Sequence, residues 1–364
     1  MSMIIFLILL LILTDYVESK IGYEHRALVQ FEKVNRTKAK KKKNKKVSSA
    51  DPSTQINTFY RNSIKKQLIK CSRTIVTANR PITSIAINFD NWVFASVNSN
   101  REITLRDITT GQIVGNLQGH TDVVNSLIVN PIGTTLISGG KDKTIRFWDL
   151  KAKEIIKTFG GYFYGHSEAI LALALSPDNK VLLSYGTDNI INTWDIKRAR
   201  VIHSISVSTN LSCLEISPNC QLFGTGSLSS QLSIRQIADG KVIRFINNNS
   251  GVLCMAFSPN SNILATGGVD RSIRLWDIRT GNIIYTLAGH SERLSNLAFT
   301  SDSRNLISTD WDGAIKVWQL QTGEEIISIQ AHHSKIQALA IAPNRQTLIS
   351  GDDEGKIKIW HCFL

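Results

Sequence analysis

Apolar and polar residues alternate through residues 144–149, TIRFWD, after a turn-forming stretch, GGKDK, at 139–143. A two-residue alternation behind turn residues predicts a short strand with one buried face. The same stretch returns along the chain as YGTDNIINTWD at 185–195, GGVDRSIRLWD at 267–277, TDWDGAIKVWQ at 309–319 and GDDEGKIKIWH at 351–361. Two weaker copies, NSNREITLRD ending at Asp107 and SLSSQLSIRQ ending at Gln236, keep the rhythm but carry Arg in place of Trp. The aligned residues Arg106, Trp148, Trp194, Arg235, Trp276, Trp318 and Trp360 stand 42, 46, 41, 41, 42 and 42 apart, the mark of an array built from one unit.

Within a unit, GHSERLSNLAF, NLISTD, AIKVWQL and EEIISIQ follow one another across short turns over residues 289–330. Four short antiparallel strands per repeat match the blade of a propeller. The pattern therefore predicts an all-β, seven-bladed β-propeller of four-stranded antiparallel blades. A solenoid of the same period is the alternative, disfavoured because the units are all strand. The last repeat ends after its third strand, and CSRTIVTA at 71–78 aligns without gaps to IIYTLAGH at 283–290. This N-terminal strand is expected to complete the last blade and so remove an open edge.

The Gly-His pairs (Gly119-His120, Gly165-His166, Gly289-His290), the Ser-Pro turns (Ser176-Pro177, Ser217-Pro218, Ser258-Pro259) and the Trp-Asp endings resemble the WD-repeat β-propeller family over residues 71–364. The resemblance implies a hydrogen-bonded His, Ser/Thr, Asp and Trp network inside a blade. It maps onto His120, Ser138, Asp142 and Trp148; onto His166, Ser184, Asp188 and Trp194; and onto His290, Ser308, Asp312 and Trp318. The last blade offers His332, Ser350 and Trp360 with Glu354 for the Asp, and the fifth offers Thr266, Asp270 and Trp276 with Asn248 for the His. Blades one and four lack both His and Trp at the matching places. A Ser-His-Asp set that recurs with the repeat is read as structural rather than as a hydrolase triad.

Charge divides the chain. Of the formal +13, residues 1–78 carry 16 Lys and Arg against 5 Asp and Glu, and residues 79–364 carry 26 against 24. The repeats thus lack the excess of positive charge expected of a nucleic-acid footprint. Five cysteines, without Cys-x-x-Cys spacing, point to neither a disulfide scaffold nor a metal site, and no cofactor is expected. A Cys71–Cys362 bridge across the closing blade stays open, disfavoured by an alignment that puts the two side chains on opposite faces.

Residues 1–19 begin with MSMIIFLILLLILT, which is short for a membrane-crossing helix and suits an anchor or a signal segment. The basic stretch 20–70, with KAKKKKNKK at 38–46, reads as a largely disordered linker. Lys20 and Arg26 follow the apolar run and no basic residue precedes it, which favours a membrane tether with the propeller on the cytoplasmic side. Export after cleavage near Ser19 and an untranslated apolar start are the alternatives.

A rigid, monomeric platform for a protein or peptide partner is the functional expectation. The resemblance places binding on the face made by the fourth-to-first and second-to-third strand loops. Candidates there are Lys141, Thr187, Leu228, Val269, Trp311 and Asp353, with Trp311 the foremost as an aromatic anchor. Arg293 and Lys335 add positive charge near blades six and seven, and the inserted loop GGYFYGH adds Tyr162, Phe163 and Tyr164 as a contact surface. An exported propeller binding extracellular protein or carbohydrate is the second reading. An enzyme is a distant third, since it would need unmatched acids converging in a central pocket.

Overall fold

The computed structural model describes residues 69–77, 80–88, 92–99, 101–160, 165–342 and 346–362. These form seven four-stranded antiparallel sheets. In blade one, β2 (Ile82–Ile87), β3 (Val93–Asn98), β4 (Ile103–Asp107) and β5 (Ile113–Leu117) lie side by side in chain order, and the next five blades repeat the arrangement. The innermost strands are β2, β6 (Val124–Val129), β10 (Ile170–Leu175), β14 (Leu211–Ile216), β18 (Val252–Phe257), β22 (Leu294–Phe299) and β26 (Ile336–Ile341). Each touches the next, and β26 touches β2, so the blades close into a ring.

Two local features explain why the repeat folds this way. The Ser-Pro turns are built by the hydroxyl: Ser176 Oγ donates to Asp178 at 2.6 Å and accepts the Val181 N–H at 2.9 Å. Ser217 and Ser258 do the same with Asn219 and Asn260, closing the same turn in blades four and five. At the other end of the third strand, the Asp of each Trp-Asp pair caps the following turn, Asp149 accepting the Ala152 N–H and Asp277 the Thr280 N–H, both at 2.7 Å. The acid that opened the sequence pattern thus has a turn-forming duty of its own.

Every innermost strand is bulged after its first residue, as between Val124 and Ser126. The bypassed side chain can then reach sideways: Asn125 Nδ2 donates to the Ile170 carbonyl of the next blade at 2.7 Å, and Ser212 Oγ donates to that of Val252. Apolar clusters fill the spaces between blades. Phe147 and Phe159 of blade two meet Leu173 and Trp194 of blade three, and Ile349 and Ile359 of blade seven meet Ile82 and Phe94 of blade one.

Blade seven alone departs from chain order. Outside β26 lie β27 (Thr347–Asp352), β28 (Lys356–Cys362) and then β1 (Ile69–Val76), which pairs antiparallel with β28. The ring is closed by the N-terminal strand. It starts at Ile69 rather than Cys71, because Ile69 pairs with Cys362 and is buried beside Trp360. Cys71 lies opposite Trp360, two residues from Cys362 along β28. A two-residue step returns to the same face, so both thiols pack on one cluster, correcting the expectation of opposite faces. All five cysteines are free, and burial pushes the Cys362 thiol up to about 12.

Candidate functional site

The loops that carry the histidines and the turns between second and third strands lie at one end of the blades. In blade two, His120 Nδ1 is 2.8 Å from Asp142 and His120 Nε2 is 2.7 Å from Ser138 Oγ, which also accepts the Trp148 indole N–H at 2.8 Å. Burial opposes charge on Asp142, but hydrogen bonds from His120, Thr144 and the Thr121 N–H hold its carboxyl down to about 2. An ionised Asp142 can only accept, so His120 donates from Nδ1 and the Ser138 hydroxyl donates to Nε2. His166, Ser184, Asp188 and Trp194 repeat this set, with 3.0, 2.7 and 2.7 Å for the same three contacts.

Blades six and seven use a different carboxylate. His290 Nδ1 meets Asp310, not Asp312, at 2.8 Å, while Ser308 bridges His290 and Trp318. Asp312 instead accepts the Ser291 hydroxyl at 3.1 Å. In blade seven His332 meets Asp352 at 2.8 Å, with Ser350 bridging to Trp360, and Glu354 pairs with Lys356. The reason lies in the residue eight before the Trp. Blades two and three have Gly140 and Gly186 there, and a Cβ on Gly186 would fall 2.7 Å from both His166 Nδ1 and Asp188. Blades six and seven place the Asp itself at that position, so it reaches the imidazole directly. In blade five Thr266 donates to Asn248 and accepts from Trp276, while Asp270 pairs with Arg274 at 2.5 Å.

Where Trp is replaced, Arg takes its place differently. Arg106 and Arg235 each donate Nη1 to the glycine carbonyl of the next turn, Gly111 and Gly240, at 3.1 Å. Burial lowers the pKa of both.

The proposed face residues occupy one equivalent backbone position. The N–H groups of Lys141, Thr187, Val269, Trp311 and Asp353 donate to the carbonyls of Val123, Ala169, Gly251, Arg293 and Lys335. Lys141, Thr187 and Leu228 are exposed, and Val269, Trp311 and Asp353 are half-buried. Trp311 brings two separately chosen residues together: the Arg293 guanidinium lies 5.0 Å and the Lys335 ammonium 4.2 Å from its ring centre. Burial lowers the Lys335 pKa, with Asp353 pulling the other way. Beside them, Asp353 Oδ1 and Ser334 Oγ are buried without a hydrogen-bond partner among the described residues. Tyr162, Phe163 and Tyr164 lie outside the described residues.

Sequence reading missed Glu215, on β14. The equivalent residues of the other blades are Ala86, Ile128, Ala174, Ala256, Ala298 and Ala340. Burial pushes the Glu215 pKa up to about 7 from 4.5. The carboxyl is neutral in both states below about pH 4.5, and from there to 7 the unfolded chain ionises first, so folding weakens as pH rises through that window. Glu215→Gln will therefore raise stability by about 2 kcal/mol at pH 8 and leave it unchanged at pH 4, read from urea melts. Among the described residues no three His, Cys, Asp or Glu side chains gather as a metal site.

Seven four-stranded blades, four of them holding a His–Ser–Trp bridge and a fifth an Asn–Thr–Trp one, define a WD-repeat β-propeller. More narrowly, the chain belongs to the family described as the IFT122 first beta-propeller, whose model matches residues 81–360. Curated relatives include eukaryotic translation initiation factor 3 subunit I of Neurospora crassa, 32% identical over 22% of this chain and 23% of that protein. WD repeat and SOCS box-containing protein 1 of Danio rerio is 41% identical over 17% of this chain and 15% of that protein. Striatin of Rattus norvegicus is 28% identical over 30% and 16% respectively. The chain spans less than a quarter of the length of each of these relatives. WD-repeat propellers of this kind serve as platforms for protein partners.

Proposed function

We propose that this chain is a non-enzymatic scaffold whose partner docks over Trp311, on the end of the ring that carries the histidine loops. The observation that carries this reading is the Trp311 ring on that end, flanked by the Arg293 guanidinium at 5.0 Å and the Lys335 ammonium at 4.2 Å. Trp311 provides apolar area, while Arg293 and Lys335 favour a partner with negative charge. Residues 1–46 are proposed as a membrane tether that keeps the propeller on the cytoplasmic side, a reading supported by the sequence of the apolar and lysine-rich segments.

The test uses the full chain in its native host. Cross-linking mass spectrometry is expected to place partner peptides at Lys335 and Lys141, and Trp311→Ala to cut recovery of that partner at least ~10-fold at unchanged Tm. Equal recovery from both proteins would sink the site. In the same preparation, a membrane-fraction peptide beginning at Met1 or Ser2 supports the tether, and one beginning at Lys20 overturns it.

A further inference from the structure

Blade four departs from blades two, three, five, six and seven in a concerted way, and blade one shares two of the changes through Arg106 and Thr104. Counting back from the Trp position, held here by Arg235, Val207 stands where the other networks place His or Asn, and Thr225 stands at the Ser/Thr position. Ser233 occupies the site held by Arg146, Asn192, Arg274, Lys316 and Lys358 in blades two, three, five, six and seven. Three bulky side chains, an imidazole, an indole and a long polar chain, are thus replaced by smaller or differently directed ones.

The exchange is inverted on the neighbouring strand. Across the ladder from Ser233 lies Phe245, whereas Thr158, Ser204, Thr286 and Ser328 lie opposite the long polar residues in blades two, three, five and six. Phe245 is 71% exposed, an unusual place for a large aromatic side chain. The result is a cavity of about 180 Å³ lined by Val207, Leu211, Thr225, Ser233, Arg235 and Phe245. Its position is that of the missing His and Trp.

The chemistry of the lining is specific. Arg235 is fixed by its Nε donating to Ser233 Oγ at 3.2 Å and its Nη1 to the Gly240 carbonyl at 3.1 Å. Ser233 is in turn 2.6 Å from Thr225 Oγ1. Among the described residues no carboxylate forms an ion pair with Arg235. The nearest blade-four acid with an ion pair, Asp239, is taken by Lys241 at 3.2 Å. One oriented guanidinium, in a lining that mixes Ser and Thr hydroxyls and the Gln231 amide with the apolar Val207, Leu211 and Phe245, fits a single carboxylate on a short methylene stem. The volume is below the ~300 Å³ at which pockets for whole small-molecule ligands begin. A phosphate group, with its higher charge, would call for a cluster of cations rather than one.

We propose that blade four holds a second partner site, a side-chain-sized pocket in which Arg235 receives a glutamate or aspartate side chain from an extended segment of a partner protein, with Phe245 as the apolar rim. This site is separate from the Trp311 face and does not rest on it.

The experiment measures fluorescence anisotropy of the full chain with three labelled pools of acetylated, amidated hexapeptides. Each pool randomises Ala, Ser, Thr and Leu around one central residue, which is Glu, Gln or phosphoserine. The Glu pool should bind at least ~10-fold more tightly than the Gln pool, the discrimination expected when one charged hydrogen-bonded pair is lost. Ser233→Arg, which restores the residue type of blades two and five, should fill the cavity and abolish the preference. Val207→His with Arg235→Trp should rebuild the network on Thr225, keep or raise Tm, and also abolish it. Equal binding of the Glu and Gln pools overturns the site, as does a folded Val207→His/Arg235→Trp protein that binds like the parent. Tighter binding of the phosphoserine pool overturns the carboxylate assignment.

Discussion

Starting the chain at Thr77 instead of Arg61 will open the ring, lowering Tm by at least about 10 °C and driving the protein to associate. Among the described residues β1 is the only strand that reaches its blade from the other end of the sequence, and it covers the whole of β28 from Lys356 to Cys362. Its loss strips a ladder of backbone hydrogen bonds, each worth about 1 kcal/mol. It also removes Ile69, 4% exposed in the cluster with Trp360 and Cys362, whose burial contributes roughly 2 kcal/mol. Together these losses are a large share of a typical folding free energy of about 5–15 kcal/mol. The freed edge of β28 would then offer unpaired N–H and C=O groups to another copy.

A chain starting at Arg61 keeps β1 and should melt within a degree or two of the full chain. Ile75→Pro in the full chain makes the same point without truncation. Ile75 lies opposite Ile357, and proline removes an amide hydrogen there, so a loss of about 3 kcal/mol is expected. Thermal melts with size-exclusion chromatography decide it. A Thr77 chain that stays monomeric with the parental Tm would mean that blade seven does not depend on its fourth strand.

The closure was legible because repeat spacing is a counting property. Spacings near 42 and a missing fourth strand leave one segment of the right pattern to supply it. The two residues by which β1 exceeds the expected start reflect a pairing partner, Cys362, that lies beyond the repeat pattern. The bridge geometry of Cys71 and Cys362 failed on parity, a one-residue matter that alignment alone resolves poorly.

The site was only partly legible. Trp311, Arg293 and Lys335 could each be named, but their approach to one ring needs the side-chain positions of two adjacent blades. The blade-four cavity gave no signal as a motif. It arises from what is absent at Val207 and Ser233, and it becomes visible only with the cross-strand pairing of Ser233 to Phe245. Glu215 was hidden for a related reason, since one acid among apolar equivalents carries meaning only once its burial is known.

The choice between two nearby acids gives the second large effect. Asp310 is fully buried and accepts three hydrogen bonds: from His290 Nδ1 at 2.8 Å, from the Asp312 N–H at 3.1 Å and from the Ala314 N–H at 2.8 Å. Asp310→Ala leaves an imidazole N–H and two backbone N–H groups without their acceptor in a site closed to water. Breaking one partner of a buried polar pair costs about 3–5 kcal/mol, and 4 kcal/mol is the expected loss here. Asp312 is exposed, and among the described residues its side chain bonds only the Ser291 hydroxyl, at 3.1 Å, so Asp312→Ala should cost less than about 0.5 kcal/mol. Asp310→Asn should fall between, because its amide oxygen can still accept while its charge is gone. Urea melts of the three variants rank them. A larger loss for Asp312→Ala than for Asp310→Ala would return the imidazole's partner to the position that the repeat alignment first indicated. The ranking found here would instead establish that blades six and seven carry the carboxylate where blades two and three require glycine.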